Sequence, residues 1–123
     1  MLFRSDLTFS ESSISLGIAD PTGCALATTF SDFDNDTDMD LLIGNDFGSN
    51  TWNTTNLLYM NTYPQIGFND VSVEYAFDHG MASMGIAIGD YDEDGDLDYY
   101  ISDMGSDRLL RNDNKYGDRK SVV

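Results

Sequence analysis

The sequence predicts an all-β fold made of repeated four-stranded antiparallel units, the architecture of β-propeller blades. The apolar segments run for four to seven residues, are rich in Ile, Val, Tyr and Phe, and are separated by Gly, Asn and Asp, which is the pattern of short strands. Two acidic stretches begin 58 residues apart and lie in similar surroundings, which indicates a repeat. Four short strands in each 58-residue period is the spacing of a propeller blade.

The segments of a unit come in a fixed order. An apolar stretch precedes the acidic one, and a second apolar run, a glycine and a third apolar run follow it. These segments are 24–30, 32–40, 41–43, Gly48 and 57–61 in the first unit, and 82–88, 90–98, 99–101, Gly105 and 108–112 in the second. The third runs are only 51 residues apart, because the first unit has about seven extra residues near 49–55. The segment 67–73 then predicts a fourth strand.

The ends of the chain are related to the same unit. Residues 2–5 match the third apolar run, and residues 9–11 match the predicted fourth strand. Residues 115–123 match that fourth strand poorly. We therefore expect a single repeat region over the whole chain. Its predicted parts are the tail of a preceding blade (1–20), a full blade with the first acidic loop (21–78), and a second blade with the second acidic loop, frayed at its end (79–123).

The composition excludes several classes of partner. The 123 residues carry six Lys and Arg against 22 Asp and Glu, a formal charge of −16, which argues against binding nucleic acid or an anionic membrane. No apolar run approaches the roughly 20 residues that cross a bilayer, and the N-terminus lacks the apolar core of a secretion signal. Cys24 has no second cysteine to pair with, and we expect it to be a small buried side chain of an apolar strand.

The acidity is concentrated in the two acidic stretches. Of the 22 acidic residues 19 are Asp, and eleven of the 22 fall within 32–40 and 90–98. Without those eleven, eleven acids remain against six bases, a charge of only −5. Asp is favoured in turns and as a loop ligand for hard cations. The pattern therefore indicates cation sites.

Alternating carboxylates in a tight loop predict calcium. Side chains at positions 1, 3, 5 and 9, with the backbone carbonyl of position 7, converge on one point, and calcium accepts six to eight oxygens in flexible geometry. Neither loop has the His or Cys that zinc prefers. The predicted ligands are Asp32, Asp34, Asp36, Asp40 and the Asp38 carbonyl in the first loop, and Asp90, Asp92, Asp94, Asp98 and the Asp96 carbonyl in the second.

The alternative interpretation is that these are acidic turns without metal. It has more weight for the first loop, where Thr37 stands at the position of Gly95 in the second. That position usually takes a left-handed backbone, which costs a β-branched residue about 1–2 kcal/mol. We therefore expect the second site to bind calcium more tightly. A helix-loop-helix calcium motif is excluded, since position 12 is Ile43 or Ile101 instead of Glu.

These residues resemble a known repeat. The segment from Gly85 to Asp98, followed by 108–112, is similar to the FG-GAP (VCBS-type) repeat of integrin α-chains and of the cartilage acidic protein and UnbV-like families. The resemblance covers roughly residues 2–112 and departs at Thr37. It implies one four-stranded blade per repeat, with calcium between the first two strands. It also implies a propeller of about seven blades that serves as an extracellular or cell-surface platform for adhesion or ligand binding, with blades that are seldom catalytic.

Few other residues suggest chemistry. His79 is the only histidine and lies in a polar turn, where we expect a structural role. No Gly-x-Ser-x-Gly elbow is present, and we expect that the chain is not an enzyme. Trp52 lies in the seven-residue insertion, where it either packs back on the blade or contacts a protein or carbohydrate ligand.

About two blades leave long unpaired sheet edges. Either the chain is a fragment, or copies complete one another head to tail, with residues 2–18 of one copy supplying the strand that the next copy lacks. Such contacts close into a ring or continue as a filament. Three functions stay open: a non-enzymatic calcium-binding module for adhesion, ligand binding or scaffolding, an accessory region of a secreted enzyme, and a self-assembling structural protein.

Overall fold

A computed structural model describes residues 2–3, 8–46, 54–113 and 121–122. Over these residues the protein is all-β, as predicted, apart from one four-residue helix, α1 (Ser13–Leu16). None of the described residues forms a helix long and apolar enough to cross a membrane. The strands are β1 (Leu2–Phe3), β2 (Phe9–Ser10), β3 (Ala25–Ser31), β4 (Asp40–Asn45), β5 (Leu57–Asn61), β6 (Phe68–Asp70), β7 (Ser83–Gly89), β8 (Asp98–Asp103), β9 (Arg108–Leu110) and β10 (Ser121–Val122).

The strands form two four-stranded antiparallel sheets and a two-stranded ribbon. The first sheet has the order β3-β4-β5-β6 and the second the order β7-β8-β9-β10, so each strand pairs with its neighbour in sequence, as in a propeller blade. The first strand of each sheet carries an irregularity at the matching place, between Ala25 and Ala27 and between Ser83 and Gly85. The ribbon pairs β1 with β2. The short β10 takes the fourth position of the second sheet, at the end where the sequence alone indicated fraying.

The hydrophobic core lies between the two sheets, where β3 and β4 contact β7. Leu42 and Leu58 of the first sheet and Tyr99 of the second are completely buried. Phe77, from the connection between the sheets, is 1% exposed and joins the same cluster. Each such side chain contributes about 1.5–3 kcal/mol on burial, so each sheet stabilises the other.

A short turn before the first strand of each sheet also repeats. Gly17, which caps the C-terminus of α1, has a left-handed φ of 77°, and Ala76 has a φ of 50°. The N–H of Gly17 donates to the Ile14 carbonyl, and the N–H of Ala76 donates to the Val73 carbonyl, each over 3.2 Å. The repeat therefore includes the connection into each sheet, which could not be predicted from the sequence because so short a turn has no periodic apolar signal.

The expectation that Cys24 is buried in a strand was wrong. Cys24 is exposed and lies immediately before β3. Its carbonyl accepts the backbone N–H of Asp46 over 2.9 Å. The residue therefore closes the hairpin through its backbone, while its side chain faces away from the core.

Candidate metal centre

The two acidic stretches form the connections between the first two strands of each sheet. Loop 1 (32–40) connects β3 to β4, and loop 2 (90–98) connects β7 to β8. The strand register closes each loop at its base, where Ser31 pairs with Asp40 and Gly89 with Asp98. Each loop thus begins and ends on a rigid hairpin.

The first Asp of each loop organises the turn. In loop 1 the carboxylate of Asp32 accepts the backbone N–H groups of Asp36 and Thr37, both over 3.0 Å. In loop 2 the carboxylate of Asp90 accepts the equivalent pair at 3.1 and 3.0 Å. Short Asp side chains stabilise tight turns by accepting such amides, so position 1 fixes the backbone of both loops.

The fifth position fixes the second half of each loop. Oδ1 of Asp36 accepts the backbone N–H of Asp38, and Oδ1 of Asp94 accepts that of Asp96, each over 3.0 Å. Asp38 and Asp96 occupy position 7, and the assignment of their carbonyls as ligands stays a prediction.

Both loops take a left-handed backbone at the fourth and sixth positions. At position 4, φ is 61° for Asn35 and 60° for Glu93. At position 6, φ is 78° for Thr37 and 95° for Gly95. Thr37 therefore adopts the left-handed conformation that the sequence comparison predicted, and it does so with a β-branched side chain, which is strained there.

The ninth position ties loop 1 to the third strand of its sheet, β5, and loop 2 to Asn112, two residues after β9. Asp40 is 1% exposed, and its two oxygens accept the backbone N–H groups of Phe33 and Asn61, each over 2.9 Å. Asp98 accepts the equivalent groups at 3.0 and 2.8 Å. Each oxygen of a carboxylate has a further lone pair, which is available to bind a metal. Metal ligation by these two residues stays a prediction.

Three carboxylates of loop 1 are unfavourable as free anions. Burial raises the pKa of Asp40 to about 6, even though two backbone amides stabilise its charged form. Burial and then the charge of Asp36 raise the pKa of Asp34, and the same two causes raise that of Asp38. A divalent cation would favour the ionised form of all three.

Three carboxylates converge in each loop. Side chains at positions 1, 3 and 5 offer oxygen atoms that lie within 4.8 Å of one another, from Asp32, Asp34 and Asp36 in loop 1 and from Asp90, Asp92 and Asp94 in loop 2. Such an arrangement brings hard anionic ligands to one point, which suits a divalent cation.

The donor set fits calcium. Every converging atom is a carboxylate oxygen, the ligand type that calcium prefers. Oδ1 of Asp92, one of the three converging residues of loop 2, is buried and has no hydrogen-bond partner among the described residues. A buried acceptor without a partner costs about 1–3 kcal/mol, which a bound cation would offset.

A cationic side chain that the sequence did not point to lies beside loop 2. Nε of Arg111 lies 2.8 Å from Oδ2 of Asp92, and the same nitrogen contacts Asp113. The residue 51 positions earlier, in the equivalent run of the first unit, is Met60. Partial burial raises the pKa of Asp92, and the charge of Arg111 opposes that rise. The alignment of the third runs shows Arg111 opposite a methionine, but it does not show which way the side chain points.

The other sequence-predicted positions lie elsewhere. Trp52 is outside the described residues, so its suggested role as a ligand contact stays a prediction. His79 lies in the connection between the sheets, where its carbonyl accepts the N–H of Asn56 over 3.1 Å. Its Nε2 lies 3.3 Å from Nη1 of Arg108, and burial and that arginine lower the pKa of His79.

The fold and the loops define a repeat module of the β-propeller type. The FG-GAP-like repeat family matches residues 32–101, which include both loops and the strands between them. The match spans more than half of the chain, and the protein belongs to the FG-GAP-like repeat family. No curated protein gives a significant match to the chain.

Proposed function

We propose that the chain is a non-catalytic calcium-binding module of a β-propeller, which acts outside the cell in adhesion, ligand binding or scaffolding. The main support for this proposal is that both loops have the same hydrogen-bond pattern at their first Asp, and that three carboxylates converge in each. Membership of the family supports it, since FG-GAP-like repeats often bind calcium and are typically extracellular. The partner in this proposal is a protein or a carbohydrate, because a charge of −16 disfavours nucleic acid.

Calcium has a structural role in this proposal. Two ions would change the formal charge from −16 by +4, to −12, and each would cross-link the loop between two strands. Extracellular modules bind calcium with dissociation constants of about 10⁻⁴–10⁻³ M, which millimolar calcium fills. The ion therefore acts on the stability of the hairpins and on no chemical step.

Thermal unfolding with and without calcium tests the proposal. A ligand that binds only the folded state stabilises it by about 2.7 kcal/mol at 100 times its dissociation constant. We expect calcium to raise the Tm, and magnesium to raise it less, because magnesium demands near-ideal octahedral geometry. The double variant Asp34→Ala/Asp92→Ala should lose the response, and Asp78→Ala, outside both loops, should keep it. An unchanged Tm of the wild type in calcium would overturn the proposal.

A second candidate function is self-assembly, which the open face of the second sheet favours. Tyr100 occupies the β8 position that Leu42 has in β4, yet Tyr100 is 42% exposed and Leu42 is fully buried. A cavity of about 180 Å³ beside Tyr100 is lined by Ile88 and Leu109, among others. A sheet from a further copy could cover this face as the second sheet covers Leu42, which gives a head-to-tail ring or filament.

A further inference from the structure

The two loops touch each other directly. The side-chain amide of Asn35, at position 4 of loop 1, donates a hydrogen bond to Oδ1 of Asp96, at position 7 of loop 2, over 2.7 Å. The left-handed φ of 61° at Asn35 is part of the frame of loop 1. Asp96 is the residue whose carbonyl the sequence assigns to the second site. An ordered loop 1 therefore holds a residue of loop 2 in place.

Asn112 links both loops from the second sheet. Its backbone N–H donates to Oδ1 of Asp98 in loop 2, and its side-chain amide donates to the Phe33 carbonyl in loop 1, each over 2.8 Å. Its counterpart in the first unit, Asn61, directs its amide to the Met39 carbonyl of its own loop over 3.2 Å. The side chain of Asn112 is thus a buried cross-link between the two repeats.

A third set of contacts lies beneath the loops. Oγ of Ser31, which directly precedes loop 1, lies 2.8 Å from the hydroxyl of Tyr99, which directly follows loop 2, and both are buried. The ring of Phe33 stacks on the ring of Tyr99 with centroids 5.3 Å apart. Closely packed groups of this kind have few alternative arrangements, so a shift of one loop base moves the other.

We propose that the two calcium sites are energetically coupled, so that an ion in one loop increases the affinity of the other, with Asn35 and Asn112 as the positioning residues. This inference rests on the proposed function. The physical reason is that an ion orders its own loop and, through the shared contacts, part of the neighbouring loop. The second ion then binds a loop that is already partly ordered.

Two effects of opposite sign act between the sites. The charge of the first ion disfavours the second, but mobile ions screen that repulsion over about 8 Å at physiological ionic strength. The hydrogen bonds and the ring contact between the loops are short-range and are not screened in this way. We expect positive coupling to dominate at about 0.15 M salt and to increase as salt is added.

Calorimetric calcium titrations of the full chain at about 0.15 M salt test the coupling. The affinity of loop 2 is measured in the wild type and in Asp34→Ala, which disables loop 1. We expect loop 2 to bind calcium at least ~5-fold more weakly in the variant. Asp92→Ala should weaken loop 1 by the same factor, because coupling between two binding sites is reciprocal.

The Asn35→Gly variant separates coupling from folding. Glycine adopts the left-handed backbone without strain, so this change removes the amide and leaves the loop frame intact. We expect both sites to bind calcium and the coupling factor to fall towards one. Glu93→Gly is the control for the backbone, since it places glycine at the left-handed position 4 of loop 2 and the contacts between the loops do not involve Glu93.

The possible results are distinguishable. Two ions that bind with affinities independent of each other would overturn the coupling and leave the proposed function intact. A wild-type chain that binds no calcium would overturn both. Coupling that persists unchanged in Asn35→Gly and in Asn112→Ala would overturn the assignment of these two positioning residues.

Discussion

Thr37 and Gly95 occupy the same left-handed position of the two loops, with φ of 78° and 95°. Glycine adopts this conformation freely, whereas it costs other residues about 1–2 kcal/mol. A Cβ at Gly95 would meet no atom within 4 Å. At this position the two loops therefore differ in backbone strain and not in steric clash.

The Thr37→Gly variant should relieve this strain. We expect its free energy of unfolding in urea to rise by about 1 kcal/mol, and loop 1 to bind calcium more tightly, because the loop keeps its conformation at lower energy. Gly95→Thr is the reverse control and should weaken loop 2. A Thr37→Gly chain with unchanged stability and unchanged calcium affinity would show that the strain is not stored in the loop.

Arg111 places a positive charge against Asp92 of loop 2. Replacing it with Met, the residue at the equivalent position of the first unit, removes a cation that competes with calcium for that carboxylate. We expect Arg111→Met to raise the calcium affinity of loop 2 in calorimetric titrations, and the gain to shrink as salt is added. An affinity that falls would mean that Arg111 instead holds Asp92 in the geometry that the ion needs.

At the scale of elements, the strands and loops could be predicted from sequence, since apolar runs of strand length alternate with acidic stretches at a fixed period. The turn at α1 and its counterpart near Ala76 could not, because four residues have no periodicity. Nor could the contacts of Arg111 and Asn112 with the loops. They depend on how side chains point and on how one sheet packs on the next. The spacing of the repeat in the sequence shows neither.

Asp40 joins loop 1 to β4 and β5, and burial raises its pKa to about 6. An acid with a raised pKa in the folded state holds its proton more tightly there than in the unfolded chain. Without calcium, this group makes the protein less stable as pH rises from about 4 through 6, and the loss is complete above about 7. The raised pKa values of Asp34 and Asp92 act in the same direction.

We therefore expect the calcium-free protein to unfold at lower urea concentration at about pH 7.5 than at about pH 5. Calcium should reverse the order, because binding requires ionised carboxylates and becomes stronger as pH rises. In Asp40→Asn the slope of stability against pH should be smaller. A calcium-free wild type that gains stability across this interval would contradict the assignment.

At the scale of the whole molecule, the core between the sheets shows how neighbouring repeats stabilise each other. Leu42 is buried by the second sheet, whereas Tyr100, its counterpart on the second sheet, remains 42% exposed, with its hydroxyl bonded to Asp107. The second repeat therefore covers a face of the first and leaves its own equivalent face exposed. This is the expected behaviour of a repeat whose units cannot bury both faces alone.

Self-association through this face has a direct test. Tyr100→Lys would bring a charge into any contact with a further copy, so we expect it to lower the mass in sedimentation experiments if copies assemble head to tail. Tyr63→Lys is the control, since Tyr63 is also exposed but lies in the turn after β5. Equal masses for the wild type and both variants, all monomeric, would exclude assembly by this route.

Native mass spectrometry across a calcium titration is the decisive test of the two loops as calcium sites, because one spectrum counts the ions on each intact chain. We expect two calcium ions per wild-type chain, one in Asp34→Ala, one in Asp92→Ala and none in the double variant. A wild-type chain that stays free of calcium at millimolar concentration, or that keeps two ions in the double variant, would contradict the claim that these two loops are the calcium sites.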